Sequence, residues 1–157
     1  MTLLAIIIIL FAGGILAWLA ERYLYEGGRW ISLISLIIAS LLLVRYFPQV
    51  DSSTVTADNL WWDSLMLAWI PRFGISFHLA IDGLSFLMLL LTMGMGIFGL
   101  VMTWNDINFR RGFFYFNYLW TLAGIVGVFT AIDLFLFFFF WEVMLIPMLL
   151  LIAVWGY

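Results

Sequence analysis

The chain has 157 residues, of which 67% are hydrophobic and 10% are charged, and its formal net charge is −3. A soluble domain has about 45–50% apolar and about 25% charged residues, so this composition excludes a water-soluble globular domain. The chain has no Cys, which excludes disulfides, thiolate metal sites and cysteine-ligated iron–sulfur clusters within it. A haem or metal site is not expected, because the chain has one His and no cluster of His, Asp and Glu at ligand spacing.

Five apolar runs are long enough to cross about 30 Å of hydrocarbon as helices that rise about 1.5 Å per residue. They predict an all-α integral membrane fold within a single segment, residues 1–157, with transmembrane helices at residues 3–19, 30–47, 83–104, 113–130 and 134–155. The first run has no basic region before it and no small-residue cleavage site before Glu21, so we interpret it as a retained helix. The lipid bilayer is therefore an expected partner, and nucleic acid is not.

The long connection between the second and third predicted helices has a different pattern. Apolar and other residues alternate at positions 73–82, and such period-two alternation is typical of a β-strand. Pro71 and Gly74 supply turn residues between this run and the segment at positions 65–70. A small extramembrane β-hairpin is therefore expected here.

Two aspartates stand immediately before predicted helices, Asp82 before the third and Asp133 before the fifth. A carboxylate at that position accepts hydrogen bonds from the exposed amides of the first turn and complements the helix dipole. Both residues are expected to be helix caps. Asp133 is also a candidate for a possible proton path.

The arginines indicate the orientation of the segment in the membrane. The short loops on one side contain Arg22, Arg29, Arg110 and Arg111, and those on the other side contain Arg45 and Arg72. Cytoplasmic loops retain positive charge, so this distribution predicts an N-terminus outside the membrane and a fifth helix that runs inward.

The fourth helix carries polar and small residues at helical spacing, among them Asn117, Thr121 and Gly124. In lipid, such residues allow helices to approach closely and to form hydrogen bonds between them, which indicates a packing seam. A hydrated ion path along the same face is the alternative, and Asn117 and Thr121 are its candidate residues.

Glu142 is the candidate residue for proton transfer. It lies close to the bilayer midplane in the fifth helix, and the residues one and two turns away on that helix are apolar. A charged side chain at that depth costs at least about 2.5–3.5 kcal/mol, so the carboxyl must be neutral, paired or hydrated. Its partner must come from another helix or from water.

Pro147 strengthens this interpretation, because proline cannot donate a hydrogen bond to the carbonyl of Val143, next to Glu142. A helix break beside the carboxyl is therefore expected, and local unwinding of this kind is how membrane helices build hydrated ion sites. Glu142 is predicted to take up and release a proton. A neutral glutamic acid that locks two helices by a hydrogen bond is the alternative.

Two segments carry a family resemblance. The run Asp-Gly-Leu-Ser at positions 82–85 and the run Trp-Glu-Val-Met-Leu-Ile-Pro at positions 141–147 resemble the antiporter-like membrane subunits of bacterial NADH:quinone oxidoreductase, or complex I. The second run is most similar to the subunit M form. Subunits L and N, and subunits of multi-subunit sodium/proton antiporters, share the Asp-Gly-Leu-Ser and Trp-Glu elements.

The resemblance implies a proton-translocating translocase subunit of about fourteen helices in the bacterial inner membrane, in which an intramembrane glutamate carries protons. In that membrane, the outside N-terminus indicated by the arginines would be periplasmic. Other complex I membrane subunits would be its partners. NADH, FMN, iron–sulfur clusters and quinone would be bound by partner subunits, with no cofactor in this chain.

In that family the glutamate matched by Glu142 pairs with a lysine on the seventh helix, whereas this chain has no Lys. We therefore expect an N-terminal fragment that is inactive alone. A subunit of a multi-subunit sodium/proton antiporter and a purely structural membrane anchor are the alternatives to a complex I subunit.

Overall fold

The computed structural model describes residues 1–24, 26–47 and 61–156, apart from the side chain of Phe73. Within these ranges lie five helices: α1 (Thr2–Tyr23), α2 (Gly27–Val44), α3 (Gly83–Met102), α4 (Arg111–Thr130) and α5 (Leu134–Trp155). All five are long and apolar enough to cross a membrane. Between α2 and α3, strands β1 (Asp63–Ile70) and β2 (Ile75–Ile81) form an antiparallel hairpin. The predicted fold class, five membrane helices with one small hairpin, is confirmed.

Several helix ends differ from the positions that hydropathy indicated. α1 continues through Glu21 and Arg22 to Tyr23, and α2 begins at Gly27 and ends at Val44. Hydropathy locates the part of a helix that lies in hydrocarbon, whereas the helix itself ends where its backbone hydrogen bonds end. Glu and Arg are good helix formers, so α1 extends past its apolar run into the interface.

α4 is the central helix of the bundle. It packs against α1 on one side and α5 on the other, while α2 packs on α1 and α3 packs on α2 and α4. More than half of α4 is buried, compared with 17% of α5. The outer face of α5 is therefore largely uncovered by the rest of the described chain.

The hairpin covers one end of the bundle, which we call the hairpin end. β1 and β2 pair in antiparallel register, with Asp63 opposite Ile81, and a short 3₁₀ turn at Pro71–Phe73 joins them. Gly74 follows this turn with a φ of 68°, a left-handed conformation that glycine adopts without steric strain. The last three residues of β2 are buried, which fixes the hairpin against the helices.

Asp63 links the hairpin to the first two helices. The hydroxyl of Tyr46, just beyond α2, donates a hydrogen bond of 2.7 Å to Asp63 Oδ2, and the amino group of Met1 lies 3.7 Å from the same oxygen. Burial raises the pKa of Tyr46 to about 12. The phenol therefore remains protonated and able to donate throughout the physiological pH range.

The opposite end of the bundle, which we call the arginine end, is where α1 meets α2 and α3 meets α4. It carries Arg22, Arg29, Arg110 and Arg111. Arg29 was predicted to lie in a loop, but it lies in the first turn of α2 and is only 8% exposed. Its guanidinium pairs with Glu26 and lies 5.3 Å from the ring centre of Trp104, so neighbouring groups compensate its burial.

Candidate functional site: an uncovered carboxyl in the fifth span

α5 places Glu142 in the interior of the membrane span. The helix has 22 residues, and Glu142 lies eight residues after its first residue, Leu134. At about 1.5 Å per residue, Glu142 is about 12 Å along a helix of about 33 Å. The carboxyl therefore lies within the hydrocarbon region rather than at the water boundary.

The side chain of Glu142 is exposed on the outer face of the bundle. Within the described residues, the ion pairs are those of Met1 with Asp63 and of Arg29 with Glu26, and no hydrogen bond reaches Glu142. A carboxyl at this depth must be neutral, paired or hydrated. Any group that pairs with Glu142 therefore lies outside the described residues.

The surface around Glu142 is apolar. Phe138, Phe139 and Ile146, each one turn away on α5, are 57%, 45% and 63% exposed. The buried side of α5 carries Phe140 and Pro147 instead. Glu142 is thus a single polar group on a face that another helix or lipid must cover.

The structure corrects the expectation of a helix break at Pro147. α5 is continuous from Leu134 to Trp155 with Pro147 inside it, and Pro147 is buried. Proline removes a single donor, that to the carbonyl of Val143, and the remaining hydrogen bonds keep the helix together. What remains next to Glu142 is a carbonyl without its helical donor, in an unbroken helix.

The side chains of Asn117 and Thr121 both donate hydrogen bonds to backbone carbonyls of α4. Asn117 is 1% exposed, and its Nδ2 donates a hydrogen bond of 2.7 Å to the carbonyl of Phe113. Thr121 Oγ1 donates a bond of 2.8 Å to the carbonyl of Asn117. Among the residues that the structure describes, no hydrogen bond joins either side chain to Glu142.

The face of α4 that carries these residues is the seam with α5. Gly124, two turns from Asn117, lies so close to α5 that a Cβ on it would be 2.8 Å from Met144 Cβ. Met144 is two residues from Glu142. The small residues of α4 therefore set how closely the helix that carries Glu142 approaches the centre of the bundle.

Asp133 is a helix cap, as its position predicted. Its Oδ1 accepts a hydrogen bond of 2.8 Å from the amide of Phe135. Its Oδ2 accepts bonds of 3.0 Å from the amide of Ser76 and 3.3 Å from the hydroxyl of Ser76, in β2. These hydrogen bonds lower the pKa of Asp133, and the bond from the Ser76 amide has the largest effect. Its carboxylate joins the start of α5 to the hairpin, a contact across 57 positions of sequence that no local pattern indicated.

Asp82 caps α3 in the same way. Its Oδ1 accepts a hydrogen bond of 2.8 Å from the amide of Ser85, which lies within the Asp-Gly-Leu-Ser run noted in the sequence. Both aspartates thus have confirmed structural roles at the hairpin end, where α3 and α5 begin.

No family model matches the chain. Over 154 residues it is 46% identical to NADH-quinone oxidoreductase subunit M of Escherichia coli strain K12, an alignment that covers 97% of this chain and 30% of that protein. The predicted resemblance to subunit M is confirmed. The chain spans about 30% of the length of this relative.

Two solved structures show the same fold. A chain of respiratory complex I from Thermus thermophilus matches with a TM-score of 0.76 and 23% identity, over 99% of this chain and 29% of that one. A chain of the Mrp complex from Dietzia sp. matches with a TM-score of 0.77 and 18% identity, over 98% of this chain and 16% of that one. The arrangement of five helices and a hairpin is therefore shared among respiratory and Mrp membrane complexes.

Proposed function

We propose that this chain is part of a proton-translocating, antiporter-like subunit of respiratory NADH:quinone oxidoreductase, and that Glu142 carries the proton. The observation that supports this proposal is a carboxyl in mid-span, on an uncovered apolar face, in a chain that resembles subunit M. Ionisable groups at that depth are conspicuous because burying them is costly, and they commonly mark ion and proton pathways.

The proposed mechanism is electrostatic. A cation close to Glu142 favours the carboxylate and so releases its proton, whereas withdrawal of the cation favours the neutral acid and so takes a proton up. The chain has no Lys, and no described arginine pairs with Glu142. In this proposal the cation belongs to the remainder of a longer subunit, of the fourteen-helix type that the resemblance implies, which would cover the outer face of α5.

The other members of the proposed path have supporting roles. Pro147 leaves the Val143 carbonyl without its helical donor, so this carbonyl can accept a hydrogen bond from water or from protonated Glu142. Asn117 and Thr121 line the α4–α5 seam, and Asp133 fixes the start of α5. In this scheme they position the carboxyl and its hydration rather than carry the proton.

In the proposed complex, electron transfer takes place in partner subunits that bind NADH, FMN, iron–sulfur clusters and quinone. The arginine end would face the cytoplasm and the hairpin end the periplasm, which places the N-terminus outside the inner membrane. This orientation is supported by the four arginines at one end of the bundle against two at the other.

The proposal is tested by Glu142→Gln in the assembled complex. NADH-driven acidification of inverted membrane vesicles should be abolished or sharply reduced, because glutamine has nearly the same shape but no titratable proton. Asp106→Asn is the matched control: Asp106 is exposed in the connection between α3 and α4, so its loss should leave proton pumping normal.

The same vesicles distinguish the alternatives. Sodium-dependent proton exchange without NADH would indicate an antiporter subunit. Normal pumping by Glu142→Gln with impaired assembly of the complex would indicate a structural anchor. Normal pumping with normal assembly would remove any role for this carboxyl.

A further inference from the structure

An open cleft of about 430 Å³ lies at the arginine end, between the last turn of α1 and the first turn of α4. Its walls include Trp18, Glu21, Arg22, Arg110, Arg111 and Phe113. Nothing in the proposed proton path uses these residues. The cleft is at the end of the bundle opposite to the hairpin.

The described walls of the cleft carry more cationic than anionic side chains. Glu21 is the one carboxylate among the described lining residues, and its Oε2 already accepts a hydrogen bond of 2.9 Å from the amide of Gly28. Among the described residues, neither Arg22 nor Arg110 forms an ion pair. Arg110 lies 5.1 Å from the ring centre of Phe109, a contact with its flat face that leaves its N–H edge available to an anion.

Arg111 supports the shape of the cleft. Its Nε donates to the carbonyl of Ile107 at 3.0 Å, and its Nη2 donates to Asn108 Oδ1 at 2.8 Å. These bonds fix the connection that precedes α4. The positive wall of the cleft is thus held in place before any ligand arrives.

Apolar surface continues from the cleft toward the hydrocarbon. Trp18 in its wall is 51% exposed, and Ile15 and Leu19 on α1 are 43% and 45% exposed. A free inorganic anion would use only the arginines. A ligand with a phosphate and acyl chains would fill the charged cleft and also cover the face of α1 below it.

We propose that this cleft binds the headgroup phosphate of an anionic phospholipid, with Arg22 and Arg110 as its ligands and the acyl chains along α1. Basic pockets between transmembrane helices bind anionic headgroups in this way, and each arginine near the surface contributes an attraction that salt screens. The inference is independent of proton translocation.

The test measures which lipid lies next to Trp18. The full chain, in its purified assembly, is reconstituted into phosphatidylcholine vesicles with a minor fraction of phosphatidylglycerol, and one of the two lipids carries brominated acyl chains. Fluorescence quenching at Trp18 is obtained as the difference between the wild-type protein and Trp18→Phe. Brominated phosphatidylglycerol should quench Trp18 well beyond its share of the lipid.

The double variant Arg22→Gln with Arg110→Gln should reduce this preference about 30-fold, since two arginines are removed. Arg72→Gln is the matched control, because Arg72 lies in the hairpin turn at the other end, and it should leave the preference unchanged. Equal quenching by both lipids, an unchanged preference in the double variant, or an equal loss in Arg72→Gln would overturn the proposal.

Two further measurements distinguish the source of the phosphate and guard against misfolding. Excess inorganic phosphate at constant ionic strength should leave the preference unchanged, and displacement of the lipid would instead assign the cleft to free phosphate. Raising the salt concentration should weaken the preference of the unaltered protein, and a salt-independent preference would contradict an electrostatic site even if the double variant fails to fold.

Discussion

Replacing Gly124 by Ala should destabilise the bundle by forcing α4 and α5 apart. A Cβ at this position would lie 2.8 Å from Met144 Cβ, 3.0 Å from Met144 Cα and 3.1 Å from Met144 N. Unstrained carbon contacts are about 3.5–4.0 Å, so the seam must open by at least about 0.7 Å. Two of the three atoms belong to the backbone of α5, which means that a side-chain rotation cannot relieve the clash.

Relative to a glycine-to-alanine change without a clash, overpacking of this kind costs about 1–3 kcal/mol. Unfolding by titration with sodium dodecyl sulfate, followed by circular dichroism, measures this cost. Gly94→Ala is the matched control. A Cβ there meets nothing within 4 Å, and alanine is the better helix former by about 1 kcal/mol, so this variant should be as stable as the wild type or more stable. Equal stability of Gly124→Ala and Gly94→Ala would refute the close approach of α4 and α5.

Two further predictions concern the caps at the hairpin end. Asp82→Ala should lower the free energy of unfolding by about 1 kcal/mol in the same assay, because the Ser85 amide loses its acceptor, and Asp82→Ser should retain most of the stability. The pKa of Asp133 is lower in the folded protein than its ordinary value. Its hydrogen bonds with Ser76 therefore stabilise the fold fully above the ordinary aspartate pKa. This stabilisation is lost as the pH falls through the lowered pKa of the folded protein. Hydrogen exchange at the Ser76 amide should therefore stay protected when the pH drops to the usual aspartate range, and loss of protection well above that range would contradict the link.

The membrane fold could be predicted from the sequence because the bilayer imposes a simple constraint. A span needs a run of apolar residues of fixed length, and the period-two alternation before Asp82 is distinct from a helical pattern. The caps Asp82 and Asp133 were also predictable, since capping depends on residues a few positions apart. These features rest on local sequence alone.

Contacts between distant parts of the chain could not be predicted in this way. The link between Asp133 and Ser76, and the burial of Arg29 against Trp104, depend on how the helices pack. The continuity of α5 at Pro147 is a different case, because proline weakens a helix without necessarily breaking it, and neighbouring hydrogen bonds and packing decide the outcome. The depth of Glu142 followed from the sequence, whereas its exposed position on the outer face of α5 required the structure.

The central claim is that Glu142 gains and loses a proton during turnover, and infrared difference spectroscopy of the assembled complex tests it most directly. Adding NADH should change a carboxylic acid C=O band in the unaltered complex, and this change should be absent in Glu142→Gln but present in Asp106→Asn. A difference spectrum that keeps the same carboxyl band in Glu142→Gln would contradict the account, since the protonation change would then belong to another group.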